Sequence, residues 1–286
     1  MADLLPPDAL HGVRIGISVS ESPDLDRLGL VETHFRLAVA EIARAVLVAG
    51  GSLAYGGHLE PDGYTTFMVR ELQRYAGRDE PLLVCLAWQE HRKLALAELK
   101  RREREYGLIA EVVCLDQAGQ PLPDPYADRP EDGVDVGAVD QQIIRTALTA
   151  MRRYAVRHTQ GRVLLGGKVT GFQGELPGLV EEALLTVEER KPLYIAGGFG
   201  GVTVDIIRAL GVDNVDWLPP RFPESEEDPR VTRGRELLEG VADQRVDNGL
   251  TGEESRRLAA SHRPSQIASL IALGLGRVHG DGFPEC

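Results

Sequence analysis

The sequence is poor in cysteine and in metal-binding motifs. Its 286 residues include three cysteines, too few for a disulfide framework. We therefore expect a reducing, cytoplasmic location. No CxxC or HExxH pattern occurs, so we expect no zinc or other metal site, and we predict no cofactor.

Basic residues and long apolar runs are also scarce. Lys and Arg total 32 against 44 Asp and Glu, which gives a net charge of -12. Nucleic-acid backbones and anionic membranes attract basic surfaces, so we expect neither as a partner. The run from Ile267 to Gly276 is about half the length of a membrane span, and the N-terminus does not resemble a signal peptide. A single nucleotide remains compatible with this charge, because helix N-termini bind phosphate locally.

Short β-branched runs alternate with amphipathic helical stretches along the chain. The predicted strands are Val13–Val19, Ser52–Tyr55, Pro81–Ala87, Leu108–Leu115, Gly161–Leu165 and Pro192–Ala196. The predicted helices are Leu30–Ala49, Tyr64–Tyr75, His91–Tyr106, Val136–His158, Gly178–Arg190 and Val202–Leu210, with three more near Gly234–Ala242, Gly252–Ala260 and Pro264–Leu275. Acidic, Pro-rich loops are predicted at Asp116–Asp135 and Trp217–Asp228.

This alternation is typical of an α/β protein with a mostly parallel sheet covered on both faces. We predict a Rossmann-like three-layer sandwich. No composition shift marks a linker, so we predict one domain over residues 1–286. Its core would span about residues 13–211, and a helical C-terminal extension about residues 212–286.

Ligands of such sheets bind beyond the carboxyl ends of the strands. That rule selects the loops after the strands that end near Val19, Tyr55, Leu165 and Ala196. In the first loop, hydroxyls can bond a phosphate or a ribose, or serve only as a cap and turn. In the second, a glycine pair permits close backbone approach, and a histidine follows that is either a ligand contact or structural. The residues concerned are Ser18, Ser20, Gly56, Gly57 and His58.

The third loop, GGKVTGFQGELPGLVEEAL, is rich in glycine and runs into a helix. Glycine-rich backbone and a helix N-terminus together supply N–H donors for a phosphate, and a lysine adds a charge. Its two adjacent glutamates point about 100° apart, so one can face the cleft and the other water, or both complement the helix dipole. The predicted ligand-binding residues are Gly166, Gly167, Lys168, Gly171, Phe172, Gly174, Pro177, Gly178, Glu181 and Glu182.

The fourth loop, AGGFGG, combines two glycine pairs with a phenylalanine. We predict a backbone platform with a ring for base stacking, although a tight strand-to-helix turn would itself need some of these glycines. The residues are Gly197, Gly198, Phe199 and Gly200. The loop is no GxGxxG fingerprint and comes late in the chain, so a standard dinucleotide dehydrogenase is not expected.

Four motifs in order, IGISVSES, LAYGGHL, GGKVTGFQGELPGLVEEAL and KPLYIAGGFGG, together resemble the SLOG superfamily from about Val13 to Leu210. That group joins the SMF/DprA proteins, the LOG phosphoribohydrolases and the ligand-sensing regions of TRPM channels. The chain looks most similar to prokaryotic SLOG clusters found beside conflict and defence genes. The resemblance implies a Rossmannoid fold and a nucleotide or NAD-derived ligand.

The resemblance leaves the activity open, because SLOG proteins either sense nucleotide signals or cut an N-glycosidic bond. A sensor would pass its signal to a homo-oligomer or a separate effector protein. An enzyme would resemble LOG proteins, whose PGGxGTxxE motif places a glutamate at the ribose. Pro177, Gly178 and Glu182 match that motif, but the GT pair is missing, and Arg92 is the candidate for the catalytic arginine by local similarity. A vestigial pocket is the third hypothesis.

Overall fold

The computed structural model describes residues 5–75, 81–212 and 228–280. Its sheet contains β1 (Arg14–Ser20), β2 (Ser52–Gly56), β3 (Leu82–Leu86), β4 (Ala110–Cys114), β5 (Gly161–Gly166) and β6 (Leu193–Ala196). The strand order is β4-β3-β2-β1-β5-β6, and every neighbouring pair is parallel. The predicted Rossmann-like α/β fold is confirmed.

Helices cover both faces of this sheet. They are α1 (Glu32–Val48), α2 (Tyr64–Leu72), α3 (Trp88–Arg92), α4 (Leu96–Tyr106), α5 (Gln141–Arg157), α6 (Gly178–Glu188), α7 (Thr203–Ala209), α8 (Pro229–Glu239), α9 (Gly252–Ala260) and α10 (Pro264–His279). Across the described ranges, no helix combines the length and the apolarity needed to cross a membrane.

Strand β5 shows how the two cores are separated. Successive side chains of a strand point to opposite faces. Val163 and Leu165 accordingly pack in the core that contains the apolar sides of α1 and α10. Leu164 packs in the other core, with the apolar side of α6. A strand that is buried on both faces is mostly apolar, and this explains the continuous run VLLG that follows Arg162 in this strand.

The predicted helix His91–Tyr106 is divided into α3 and α4. Arg129 donates hydrogen bonds to the carbonyl groups of His91 (2.5 Å) and Leu94 (3.1 Å), which an unbroken helix would use internally. The backbone N–H of Leu96 donates instead to Glu131 (3.0 Å). The break therefore comes from a distant loop, which no local pattern in the helix indicates.

The helix predicted from Val136 begins as an α-helix only at Gln141. The side chain of Asp140 accepts a hydrogen bond from the backbone N–H of Gln142 (2.9 Å) and so caps the helix there. Of the acidic loop predicted at Trp217–Asp228, residues 217–227 lie outside the described residues.

Candidate functional site

A cavity of about 280 Å³ opens at the carboxyl ends of the central strands. Strand β1 pairs with β2 on one side and with β5 on the other, so the strand order reverses at β1. Such a reversal creates a crevice in which parallel sheets bind ligands. We call this space the carboxyl-edge cavity. It is lined by Ser18, Val19, Ser20, Glu21, Tyr55, Gly56, Gly57, His58, Tyr64, Glu90, Leu148, Met151, Arg152, Lys168, Phe172, Gly178, Leu179 and Glu182.

The cavity brings together predicted residues from the loops after β1, β2 and β5. Those in its lining are Ser18, Ser20, Gly56, Gly57, His58, Lys168, Phe172, Gly178 and Glu182. Other predicted residues lie outside the lining within the described chain: Gly166, Gly167, Gly171, Gly174, Pro177, Glu181, Gly197, Gly198, Phe199 and Gly200.

Gly166 and Gly167 shape the turn behind the cavity wall. Their φ angles of 68° and 101° lie in the region that side chains disfavour. A Cβ atom on Gly166 would stand 2.7 Å from the Ser20 carbonyl oxygen and 2.8 Å from the Phe35 ring. The turn also lets the backbone N–H of Lys168 donate to the Ser20 hydroxyl (3.3 Å). These glycines therefore position Ser20 and Lys168.

The loop after β6 lies outside the cavity lining, and the structure does not place Phe199 where it could stack on a base in this cavity. A Cβ atom on Gly198 would overlap the backbone of Ser261, at the end of α9. Phe199 is fully buried and packs edge-on against Phe35, with ring centroids 5.0 Å apart. Its ring is therefore part of the core and has no open face for a base.

Phe172 is the phenylalanine in the cavity lining. The guanidinium of Arg230, in the first turn of α8, lies over its ring at 4.1 Å from the centroid. The same side chain donates to the Gly174 carbonyl (2.9 Å) and pairs with Asp228. These contacts fix the loop that presents Phe172.

Glu182 lies in the cavity wall and is only 6% exposed. Nη1 of Arg162, on β5, lies 3.2 Å from its Oε1 atom and also donates to the Ser18 hydroxyl (2.8 Å). Burial, reinforced by Glu182, raises the pKa of Tyr55 well above its usual value.

One alternative from the sequence had one of the two glutamates facing water. In the structure Glu181 does not face water. It is buried and bonded to two side chains of α5, Arg152 and Thr149. Arg152 itself lines the cavity, and a Cβ atom on Gly178 would be 2.9 Å from its Nη2 atom. Glu181 therefore holds Arg152 beside the first residue of α6.

The N-terminus of α6 faces the same region. Pro177 is its N-cap, and within the described residues no side chain caps this end, while Gly178 and Leu179 line the cavity. The first N–H groups of a helix lack internal partners and favour an anion. Arg152 and Lys168 also line the cavity, so these three features supply its positive groups.

Several cavity residues were not predicted from the sequence, above all Arg152, Glu90 and Tyr55. Arg162, behind the wall, was missed as well. An arginine at the start of an apolar strand was the one available signal for it. Arg92, the predicted catalytic candidate, donates to the Asp128 carbonyl (2.7 Å) and lies outside the cavity lining.

Comparison with known proteins agrees with this architecture. The family model described as SLOG cluster2 matches residues 9–258, most of the chain. No curated protein and no solved structure matches it. With this fold, and with a family match of that extent, the chain belongs to the SLOG superfamily, in SLOG cluster2.

Proposed function

We propose that this protein binds a nucleotide or an NAD-derived molecule in the carboxyl-edge cavity and acts as a sensor. The proposal includes a role in prokaryotic signalling or defence, with the signal passed to a homo-oligomer or a separate effector. The observation that carries it is a cavity whose lining contains both cationic groups and a buried carboxylate. Arg152 and the N-terminus of α6 are its cationic groups, and Glu182, one turn further along α6, is its buried carboxylate.

The cationic groups of the cavity suit a phosphate. Free N–H groups at a helix start bind phosphate oxygens directly, and a guanidinium adds charge-assisted hydrogen bonds. Arg152 has these properties because Glu181 fixes its orientation. Lys168, which is half exposed and 3.4 Å from Glu21, can add a further positive charge at the cavity mouth.

The carboxylate of Glu182 suits a ribose. A carboxylate accepts hydrogen bonds from hydroxyl groups, and Glu182 is held in the wall by Arg162. Arg230 covers one face of the Phe172 ring, so a base would stack on the opposite face. A nucleotide has a phosphate, a diol and a flat ring in this combination.

A thermal-shift panel with AMP, ADP, ADP-ribose and NAD tests the proposal. At a ligand concentration of about 100 times Kd, linkage stabilises the folded state by about 2.7 kcal/mol. We expect the melting temperature to rise by roughly 5–10 °C for at least one ligand. No shift with any of them at millimolar concentration contradicts the proposal.

An N-glycohydrolase is the second candidate. The observation that favours it is the buried carboxylate of Glu182, which touches the cavity beside Ser18. A carboxylate in this position could stabilise the positive charge that develops on a ribosyl group as its base leaves. The protein would then release the base from a bound nucleotide.

Base release measured by chromatography separates the two candidates. If the protein is an enzyme, Glu182→Gln lowers turnover by about 100-fold or more, because glutamine cannot supply the negative charge. Glu188→Gln is the matched control, since Glu188 lies at the exposed end of the same helix. Binding without any base release supports the sensor, and full turnover by Glu182→Gln excludes catalysis at this residue.

A further inference from the structure

We propose that Arg162 is a positioning residue that holds Glu182 and Ser18 ready for the diol of the ligand, although it lies outside the cavity lining. This inference rests on the proposed nucleotide binding. It assigns a role in recognition to a residue that the ligand does not touch.

The first support is the way in which the sheet accommodates Arg162. Its side chain is 1% exposed and lies against the central strand β1 at Gly16. A Cβ atom on Gly16 would be 2.8 Å from the Cζ atom of Arg162 and 2.9 Å from its Nη2 atom. Glycine weakens a strand interior and often marks a close approach. Here it leaves room for the guanidinium.

The second support is that one nitrogen of Arg162 contacts two residues of the cavity lining. Nη1 of Arg162 reaches both Ser18 and Glu182, and both of these acceptors line the cavity. Fixing these two side chains before the ligand arrives removes an entropic cost from binding. The guanidinium thus organises the cavity wall from behind.

The third support is that the arrangement is poor for stability. Nε and Nη2 of Arg162 are buried, and neither has a hydrogen-bond partner among the described residues. Buried donors without partners cost free energy, and apolar residues often replace a buried ion pair without loss of stability. A costly pair beside a cavity is therefore better explained by recognition than by folding.

A stability cycle tests the coupling without any ligand. Arg162→Met leaves the carboxylate of Glu182 buried without its cation, and we expect the melting temperature to fall by roughly 10 °C. The double variant Arg162→Met/Glu182→Gln removes both charges and should melt within a few degrees of the wild type. If the losses of the two single variants simply add in the double variant, the two residues are not coupled and the proposal is wrong.

Ligand discrimination tests the positioning role. We compare ADP with 2′,3′-dideoxy-ADP by calorimetry, and we expect the wild type to bind ADP at least about 10-fold more tightly. Glu182→Gln and the double variant should lose this preference. Gly16→Ala keeps both charged residues but displaces the guanidinium, so it should lose the preference while it still binds both ligands. A merely structural role would weaken both ligands equally.

Gly240→Ala, at the end of α8, is the matched glycine control and should keep the preference. If Gly16→Ala does not fold, Arg162→Lys replaces it, since lysine retains the charge but not the planar group. A wild type that binds none of AMP, ADP, ADP-ribose and NAD contradicts the proposed function itself, whereas one that binds another of these without preferring ADP to its dideoxy analogue contradicts only the role assigned to Arg162 and the diol. A diol preference that survives in the folded variant contradicts only the role of Arg162.

Discussion

The two neighbouring glutamates of α6 each form an ion pair with an arginine, but the two pairs present opposite partners to the cavity. In the Glu181 pair, Arg152 lines the cavity and the carboxylate lies behind it, against α5. In the Glu182 pair, the carboxylate lines the cavity and Arg162 lies behind it, on β5. One pair therefore presents a cation to the cavity, and the other presents an anion.

This difference explains how an acidic chain can build a cavity with two kinds of polar wall. Each buried charge has a counter-ion, so neither wall has to expose an uncompensated charge to the apolar core. The pairs differ in access to solvent as well. The side chain of Arg152 is 11% exposed, whereas that of Arg162 is 1% exposed.

The largest expected loss of stability comes from removing the carboxylate of an ion pair. Glu182→Leu leaves Arg162 charged with no route to water, and breaking such a pair costs about 3–5 kcal/mol. Glu181→Leu leaves Arg152 able to reach water in the cavity, so we expect a smaller loss of about 1.5–3 kcal/mol, the value of a hydrogen bond to a charged group. Urea unfolding of both variants measures the difference, and equal losses would remove the distinction between the two pairs.

A third arginine, Arg129, contacts a neutral histidine where Arg152 and Arg162 contact carboxylates. Its Nη2 atom donates to Nδ1 of His91 (2.8 Å), and the opposite ring nitrogen donates to the Leu115 carbonyl (2.8 Å). Burial lowers the pKa of His91 to about 4. The folded state then binds fewer protons than the unfolded state between pH 6.5 and 4, so stability falls as the pH falls through this window.

Over this pH window the free energy of unfolding should fall by about 3 kcal/mol, which follows from the lowered pKa of His91. Urea unfolding from pH 7 to 4 measures it. His91→Gln cannot gain this charge, so its stability should depend less on pH by that amount, while the other titrating groups contribute equally to both proteins. Identical slopes for the variant and the wild type would show that His91 has no part in acid destabilisation.

The sequence predicted the sheet well because its signals are local. Apolar runs such as that of β3 and the glycines after β5 need no distant partner to be recognised. That the side chains of Glu181 and Glu182 point in different directions also followed from helix geometry alone. Their partners did not, since Arg162 lies 20 residues before Glu182 and 144 after Ser18. Which arginine meets which carboxylate depends on the packing of α5 and β5, and local periodicity does not encode it.

Removing the cation that lines the cavity should weaken phosphate binding, in addition to the stability that is lost when the buried carboxylate of Glu181 loses its partner. Arg152→Met removes a charged donor beside the start of α6, and we expect a loss of about 10- to 100-fold in affinity for a nucleotide. The affinity for the matching nucleoside, which has no phosphate, should change by less than about 3-fold. Calorimetry with both ligands measures this. Arg153→Met is the control, because Arg153 is the exposed neighbour of Arg152 on α5; a similar loss in both variants would indicate a general charge effect.

Ser18→Ala gives the smallest expected effect and tests which acceptor matters to Arg162. Nη1 of Arg162 bonds both Ser18 and Glu182, so it keeps the carboxylate as a partner when the hydroxyl is removed. We expect urea unfolding to show a loss of about 1 kcal/mol, the value of one ordinary hydrogen bond. Ser20→Ala should cost less, since the Ser20 hydroxyl accepts only a longer bond from the Lys168 backbone (3.3 Å). If Ser18→Ala is instead as destabilising as Glu182→Leu, the hydroxyl is the main partner of Arg162. The contrast between the two ion pairs would then rest on Glu181 alone.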